Sequence, residues 1–222
     1  MIKIFLHIIS VLGMLLILSS CSNDEYRYPS VQMEFVTAQT NNKGQVQSFI
    51  TDKNKEYVVS MDKSSKNYET NQLKRIVTNY ELVPSDKDTT ACIYTSIATI
   101  SSQPKKAQEF KDSIKTDPAE VLSIWMGMNY LNIVLNVLSQ NKTHRFAFIQ
   151  ENAIIDKNGR INIPIQLYHD NSNDVMAFTQ RVYLSIPLSL YAGNDNKGAI
   201  ISFSLKTYDG TVKHYSFDYI PK

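Results

Sequence analysis

The stretch LKRIVTNYEL, Leu73–Leu82, decides the fold. Ile76, Val77, Thr78 and Tyr80 are β-branched or aromatic, the types that suit a pleated, half-buried surface. No 3.6-residue stripe runs through it, so it reads as a strand. Upstream, polar residues 62–71 form a loop. Before that, Gln45–Thr51 and Tyr57–Met61 read as a hairpin about the tight turn Asp52–Lys55. Thr40–Gly44, TNNKG, is a turn by composition, and Val31–Phe35 alternates apolar and polar with the period of a half-buried strand. Downstream, Ala91–Ile100, ACIYTSIATI, alternates again. Five strands with no amphipathic helix suggest a closed barrel of the oligonucleotide/oligosaccharide-binding (OB) type over residues 31–102.

The texture then changes. Gln103–Pro118 is charged and bracketed by prolines, which predicts an inter-domain linker at 103–118 with one helical turn in its middle. Strand patterns resume at Glu120–Met126, Tyr130–Leu138, His144–Gln150, Arg160–His169, Val175–Ser185, Ala199–Tyr208 and Val212–Tyr219. Pro164 places the Arg160–His169 run at an edge or bulge. Asp209-Gly210 is the clearest hairpin turn in the chain. Strands at this spacing predict a β-sandwich over 119–222. The fold class expected is therefore all-β, an OB-like barrel followed by a sandwich.

The N-terminus adds an address. Lys3 precedes an apolar run, Ile4–Leu18, interrupted only by His7, Ser10 and Gly13. This is the pattern of a cleaved signal peptide, residues 1–20, and it is short for a membrane span. It ends Leu18-Ser19-Ser20-Cys21, which resembles a bacterial lipobox. That likeness implies that Cys21 is lipidated and that 21–30 is a tether. Two or three acyl chains make a stable anchor. Ser22, Asn23, Asp24 and Glu25 resemble the surface-export signal of Bacteroidota lipoproteins. The expected place is the outer membrane, facing the cell surface, with its periplasmic face as the alternative. With Cys21 lipidated, the only other cysteine, Cys92, is expected as a buried thiol in a strand.

The full chain holds 23 Lys and Arg against 21 Asp and Glu. One of the basic residues, Lys3, falls in the signal, so the mature chain is close to neutral, with its cations spread out. That excludes the concentrated basic patch of a nucleic-acid binder. Thirteen Tyr and nine Phe against seven Gly favour β structure. His144, His169 and His214 lie in no ligand-spaced motif, so no metal or other cofactor is expected. No nucleophile elbow, phosphate loop or CxxC occurs, and no catalytic residue is assigned. YHDNSND places the oxygens of Asp170, Asn171, Asn173 and Asp174 in one loop, and AGNDNKG (Ala192–Gly198) is similar. Both read as solvated loops, with calcium as the other reading. Trp125, the only tryptophan, lies between Ile124 and Met126 and is expected in the core, with a carbohydrate-stacking platform as the other reading. Asp112-Ser113-Ile114 and Asp88-Thr89-Thr90 match a short O-glycosylation signal of Bacteroidota exported proteins, with Ser113 and Thr89 as acceptors in accessible loops.

Two segments carry a resemblance. Leu73–Leu82 looks like the part of NigD-like lipoproteins in which an arginine and an apolar pair precede a Val/Thr-Asn-Tyr run. DPAEVLSIWMGMNYLNIVLNV, Asp117–Val137, is similar to the start of that family's C-terminal domain, with its Asp-Pro, Ile-Trp and Tyr-Leu-Asn. In the family a glycine usually precedes the arginine, and an Asp-Gly is common in the turn that here reads TDKNKEY. The resemblance implies an OB-like barrel, a β-sandwich, the outer membrane and no established activity. The reading that follows is a non-enzymatic lipoprotein with a glycan or protein ligand. Its alternatives are a bacteriocin-immunity or defence factor and a glycan-acting enzyme.

Overall fold

Strands β1 (Val31–Thr40), β2 (Val46–Thr51), β3 (Glu56–Asp62), β4 (Leu73–Pro84) and β5 (Thr89–Ala98) close into a barrel in the order β1-β2-β3-β5-β4. Only the β3–β5 pairing is parallel. The computed structural model describes residues 29–84, 88–111, 113–155, 160–191 and 198–221. Val36 and Ala38 of β1, Phe49 of β2, Ile76 and Tyr80 of β4 and Ile93 of β5 fill the lumen. Closure pairs every strand on both sides and leaves no sheet edge to aggregate. The turn TDKNKEY holds Asn54 at a φ of 59°, so asparagine takes the left-handed position that glycine commonly fills.

The second half supplies β6 (Lys105–Lys106), β7 (Glu120–Gly127), β8 (Tyr130–Ser139), β9 (Arg145–Gln150), β10 (Ile154–Ile155), β11 (Ile161–Asp170), β12 (Phe178–Pro187), β13 (Ala199–Lys206) and β14 (Val212–Tyr219). They make a three-stranded sheet, β12-β8-β7, and a second sheet ordered β14-β13-β11-β9-β6 with β10 beside β11. Leu131, Ile133 and Leu135 of β8 and Leu184 and Ile186 of β12 pack with Phe148, Ile165, Phe203 and Leu205 of the other sheet. Pro164 sits where β11 changes partners, from β13 (through Gln166) to β9 (from Leu167). Its carbonyl accepts from the Glu151 N–H, so its missing donor faces the side where the β9 ladder has not begun.

Residues 103–118, expected as a connection, lie along the sandwich. Lys105–Lys106 pairs in parallel with Ile149–Gln150, and a 3-10 turn follows at Ala107–Glu109. Phe110 stacks on Tyr168 with centroids 5.1 Å apart. The Lys115 carbonyl and the Asp117 N–H bond the His169 backbone at 3.0 and 2.9 Å.

Barrel and sandwich meet through the outer face of the three-stranded sheet, which is covered on both sides. This accounts for the nearly continuous burial of β8, since alternation needs one wet face. Phe35 and Val77 on the barrel pack against Val134 and Tyr183. The backbone crosses here too. Ile100, just past β5, pairs in parallel with Leu184, donating to the Tyr183 carbonyl at 2.9 Å and accepting from the Ser185 N–H at 3.0 Å.

Beside this apolar patch sits a buried charge. Arg75 projects outward from β4 and is 5% exposed. Its Nη2 donates to Asp52 Oδ1 at 2.6 Å and to Asn132 Oδ1 at 3.0 Å. Nε donates to Ser185 Oγ at 3.0 Å, and Nη1 to Thr37 Oγ1 at 3.3 Å. Asn132 Nδ2 donates to the other Asp52 oxygen at 2.7 Å, and Ser185 Oγ–H to Asn132 Oδ1 at 2.7 Å. The guanidinium lies 4.1 Å from the Tyr130 ring centroid, a cation–π contact. Gly127 completes the site by absence: a Cβ there would lie 2.1 Å from Asp52 Oδ2 and 2.5 Å from Asn132 Nδ2.

Removing one partner of a buried pair strands the other in low dielectric. Arg75→Ala is expected to destabilise by about 3–5 kcal/mol, read as a lower urea midpoint. Gly127→Ala forces Asp52 aside and is expected to cost about 1–3 kcal/mol. Its cost should shrink in an Asp52→Ala background, where the closer clash is gone and only that with Asn132 remains.

Candidate functional site

A cleft of about 250 Å³ opens at the barrel–sandwich junction. Phe35, Val77 and Val134 line its apolar part, Trp125 forms a wall, and Glu34 and Asp52 bring carboxylates to it. Trp125 stands edge-on to Phe35, with centroids 5.2 Å apart and planes at 87°, a favourable aromatic geometry. It is 36% exposed, so the expected core position is corrected. Ile124 and Met126 pack on the sandwich core, and strand alternation turns Trp125 to the opposite face, in register with Asn132. The apolar neighbours that suggested burial are the reason it points at the barrel.

The carboxylates of the cleft are held in place. Both Asp52 oxygens are engaged, by Arg75 and Asn132. Glu34 Oε2 accepts from the Tyr80 hydroxyl at 3.0 Å, and Oε1 lies 3.7 Å from Lys53 Nζ. Burial, then the charge of Glu34, pushes the Tyr80 phenol above its ordinary range. The result is a rigid slot with a ring on one side and, on the other, two carboxylates each matched by a cation, Glu34 by Lys53 and Asp52 by Arg75. It fits one inserted ring or side chain, being smaller than the roughly 300–1,000 Å³ of drug-sized sites.

A second cluster escaped the sequence reading. The β9–β11 register sets Phe146 opposite His169, and His144 follows next to them. His169 Nδ1 bonds the Asp117 carbonyl at 2.9 Å, and its Nε2 lies 3.0 Å from His144 Nδ1. His144 Nε2 is 3.4 Å from Asp174 Oδ2, with both side chains almost fully buried. Phe146 stacks on His169 at 4.5 Å. Two histidines 25 residues apart give no spacing signal, because only antiparallel pairing brings them together. Burial holds His169 below its ordinary value, against the raising effect of the Asp117 carbonyl. Burial pushes Asp174 up. N–H donors from Gln140, Asn141, Lys142 and Val175 outweigh it and hold the carboxyl at about 2. His214 is exposed on β14.

The oxygens of the 170–174 loop serve the protein itself. Asp170 pairs with Arg145 and accepts from the Ser172 N–H. The Asn171 side chain accepts from the Asn173 N–H at 2.9 Å. The Lys142 ammonium donates to the Ser172 and Asn173 carbonyls at 3.1 and 2.8 Å. Among the described residues no group of three or more His, Cys, Asp or Glu converges as a metal site. Residues 194–196 lie outside the described residues.

Cys21 and Ser22, Asn23, Asp24 and Glu25 also lie outside them. Cys92 is a buried free thiol in β5. Ser113 is exposed in irregular chain, whereas Thr89 opens β5 half-buried opposite Pro84. Of the two acceptors, only Ser113 stands in an irregular segment.

Residues 101–219 match the family model of the NigD-like C-terminal beta sandwich domain. A crystal structure of a NigD-like immunity protein from Bacteroides caccae is 34% identical, covers 89% of this chain and 100% of its own, and superposes with a TM-score of 0.76. The chain belongs to the NigD-like family. A protein of unknown function from Bacteroides vulgatus shares the fold at 15% identity, with a TM-score of 0.64 over 85% of this chain and 91% of that one. No curated protein matches the chain. Within this NigD-like chain, the segments Leu73–Leu82 and Asp117–Val137 supply Arg75, Trp125 and Asn132, so they hold both the junction and its cleft.

The buried acid and histidine give the stability of the NigD-like chain a pH profile. His169 binds its proton less readily folded than unfolded, so stability falls as pH drops below about 6.5. Asp174 contributes stability above its ordinary 3.8 that is lost as pH falls toward about 2. Thermal midpoints across pH 8 to 2 are expected to fall in these two windows. Asp174→Asn should shrink the lower step, to which Asp170 and Asp209 also contribute, and leave the upper one in place.

Proposed function

We propose that the chain is a non-enzymatic, lipid-anchored binding protein of the outer membrane, facing the cell surface, whose junction cleft grips one ring or side chain of a larger target. The observation that carries this reading is Trp125. A large aromatic left partly in solvent, braced edge-on by Phe35 and flanked by fixed carboxylates, is a ready anchor point for a partner. With both carboxylates balanced by Lys53 and Arg75, the slot favours an uncharged aromatic or apolar group. Both Asp52 oxygens are committed to structural bonds, which suits binding better than proton transfer. A protein or a glycan can present such a group. The near balance of 23 Lys and Arg against 21 Asp and Glu supports such a target over nucleic acid.

The anchor rests on Leu18–Cys21. Cys21→Ala is expected to abolish labelled-palmitate incorporation and release the protein from the membrane fraction. Protease added to intact cells should digest the wild type. Protection from the protease would place the binding face in the periplasm and remove surface display.

The immunity reading has its own support, the 34% identical Bacteroides caccae protein described as NigD-like immunity protein. A deletion strain, challenged with culture supernatants of competing Bacteroides strains, is expected to lose viability. Wild-type protein should restore survival and Trp125→Ala should not. Because Trp125 is the sole tryptophan, intrinsic fluorescence reports the cleft directly. An active supernatant fraction is expected to shift that emission, and unchanged survival together with unchanged emission would defeat this reading.

A further inference from the structure

The three-stranded sheet ends at β12, and half of that edge is open. Ile100 covers the edge only at Leu184, bonding the Tyr183 carbonyl and the Ser185 N–H. Backbone groups alternate sides along a strand, so Arg181 and Thr179 present their N–H and carbonyl to the same side as Tyr183 and Ser185. The even-numbered residues face β8 instead. Among the described residues no strand pairs with this side of β12 between Thr179 and Arg181.

A cavity of about 330 Å³ lies where the chain leaving β5 diverges from this edge. Ile97 and Ile100 line one side, Arg181 and Tyr183 the other, with Phe146 and Lys142 completing it. The charge in it has one sign. Arg181 is exposed, and among the described residues no carboxylate pairs with it. Lys142 retains one N–H beyond its two bonds to the 170–174 loop. No carboxylate lines the cavity, and Asp174, next to the lining His144, is tied to the Gln140 and Asn141 N–H groups.

We propose that this is a second binding site, in which the last residues of an extended peptide add to the open edge of β12 and the terminal carboxylate meets Arg181 and Lys142. The open N–H and carbonyl groups supply the ladder, the apolar walls take alternate side chains, and the cations read the chain end. The site is independent of the Trp125 cleft, which lies at a different part of the junction and is lined by carboxylates.

The test uses the full chain, immobilised, and a pool of acetylated tetrapeptides randomised at every position, offered as free acids and as C-terminal amides. The acids should be retained roughly tenfold better than the amides. Arg181→Gln should lower that retention roughly fivefold at an unchanged thermal midpoint, because its side chain is exposed. Amide exchange at Arg181 and Tyr183 should slow when the retained peptides are loaded. Equal retention of acids and amides would overturn the proposal, as would no retention of either. Displacement by acetate, with no slowing at Arg181 or Tyr183, would also overturn it by revealing a site for small carboxylates alone.

Discussion

A guanidinium removed from water needs hydrogen-bond partners, and the three nitrogens of Arg75 find them on four separate elements. Thr37 comes from β1, Asp52 from the turn after β2, Asn132 from β8 and Ser185 from β12. Two of these belong to the barrel and two to the sandwich. The charge can be satisfied only when both halves are folded and docked, so the junction is specified by a polar demand as well as by Phe35, Val77 and Val134. The neighbouring cleft inherits this rigidity. Asp52 is fixed by Arg75, Gly127 leaves room for it, and Trp125 stands two residues away on the same strand.

The two recesses described above lie where two rigid blocks abut. The aromatic cleft faces one part of the junction, and the cationic cavity beside β12 faces another. Barrel residues and sandwich residues line each of them. Such seams leave concave surface without disturbing either core. The two recesses also differ in character: paired charges stand by Trp125, and Arg181, unpaired among the described residues, stands by Tyr183.

The strands were legible because half-buried β structure writes its period into the chain. Val212–Tyr219 forms as read, and Leu73–Leu82 extends only to Pro84. What the sequence left hidden depends on contacts between distant segments. Arg75 reads as a polar interruption in a strand, and its burial follows from a sheet more than fifty residues away. The His144–His169 pair exists only through the β9–β11 register. The charged run 103–118 looks like a linker, since the two-residue strand and the Phe110 stack that dock it are too short to leave a pattern. Trp125 was decipherable in principle, because a residue flanked by two core-facing positions in a strand must face the other way.

The reach of these contacts also sets an order of events. Arg75 meets Asp52 across 23 residues, Asn132 across 57 and Ser185 across 110. A chain that emerges N-terminus first has the whole barrel sequence available long before β12 follows. Until then the outer face of β4 carries a cation with one counterion and no cover, and the first domain is incomplete although its own strands are all present. High contact order of this kind slows folding and makes the last-arriving segment decisive. For this molecule, chain length already delivered is a poor measure of how much structure is secure, and truncation anywhere before Ser185 leaves the barrel without its lock.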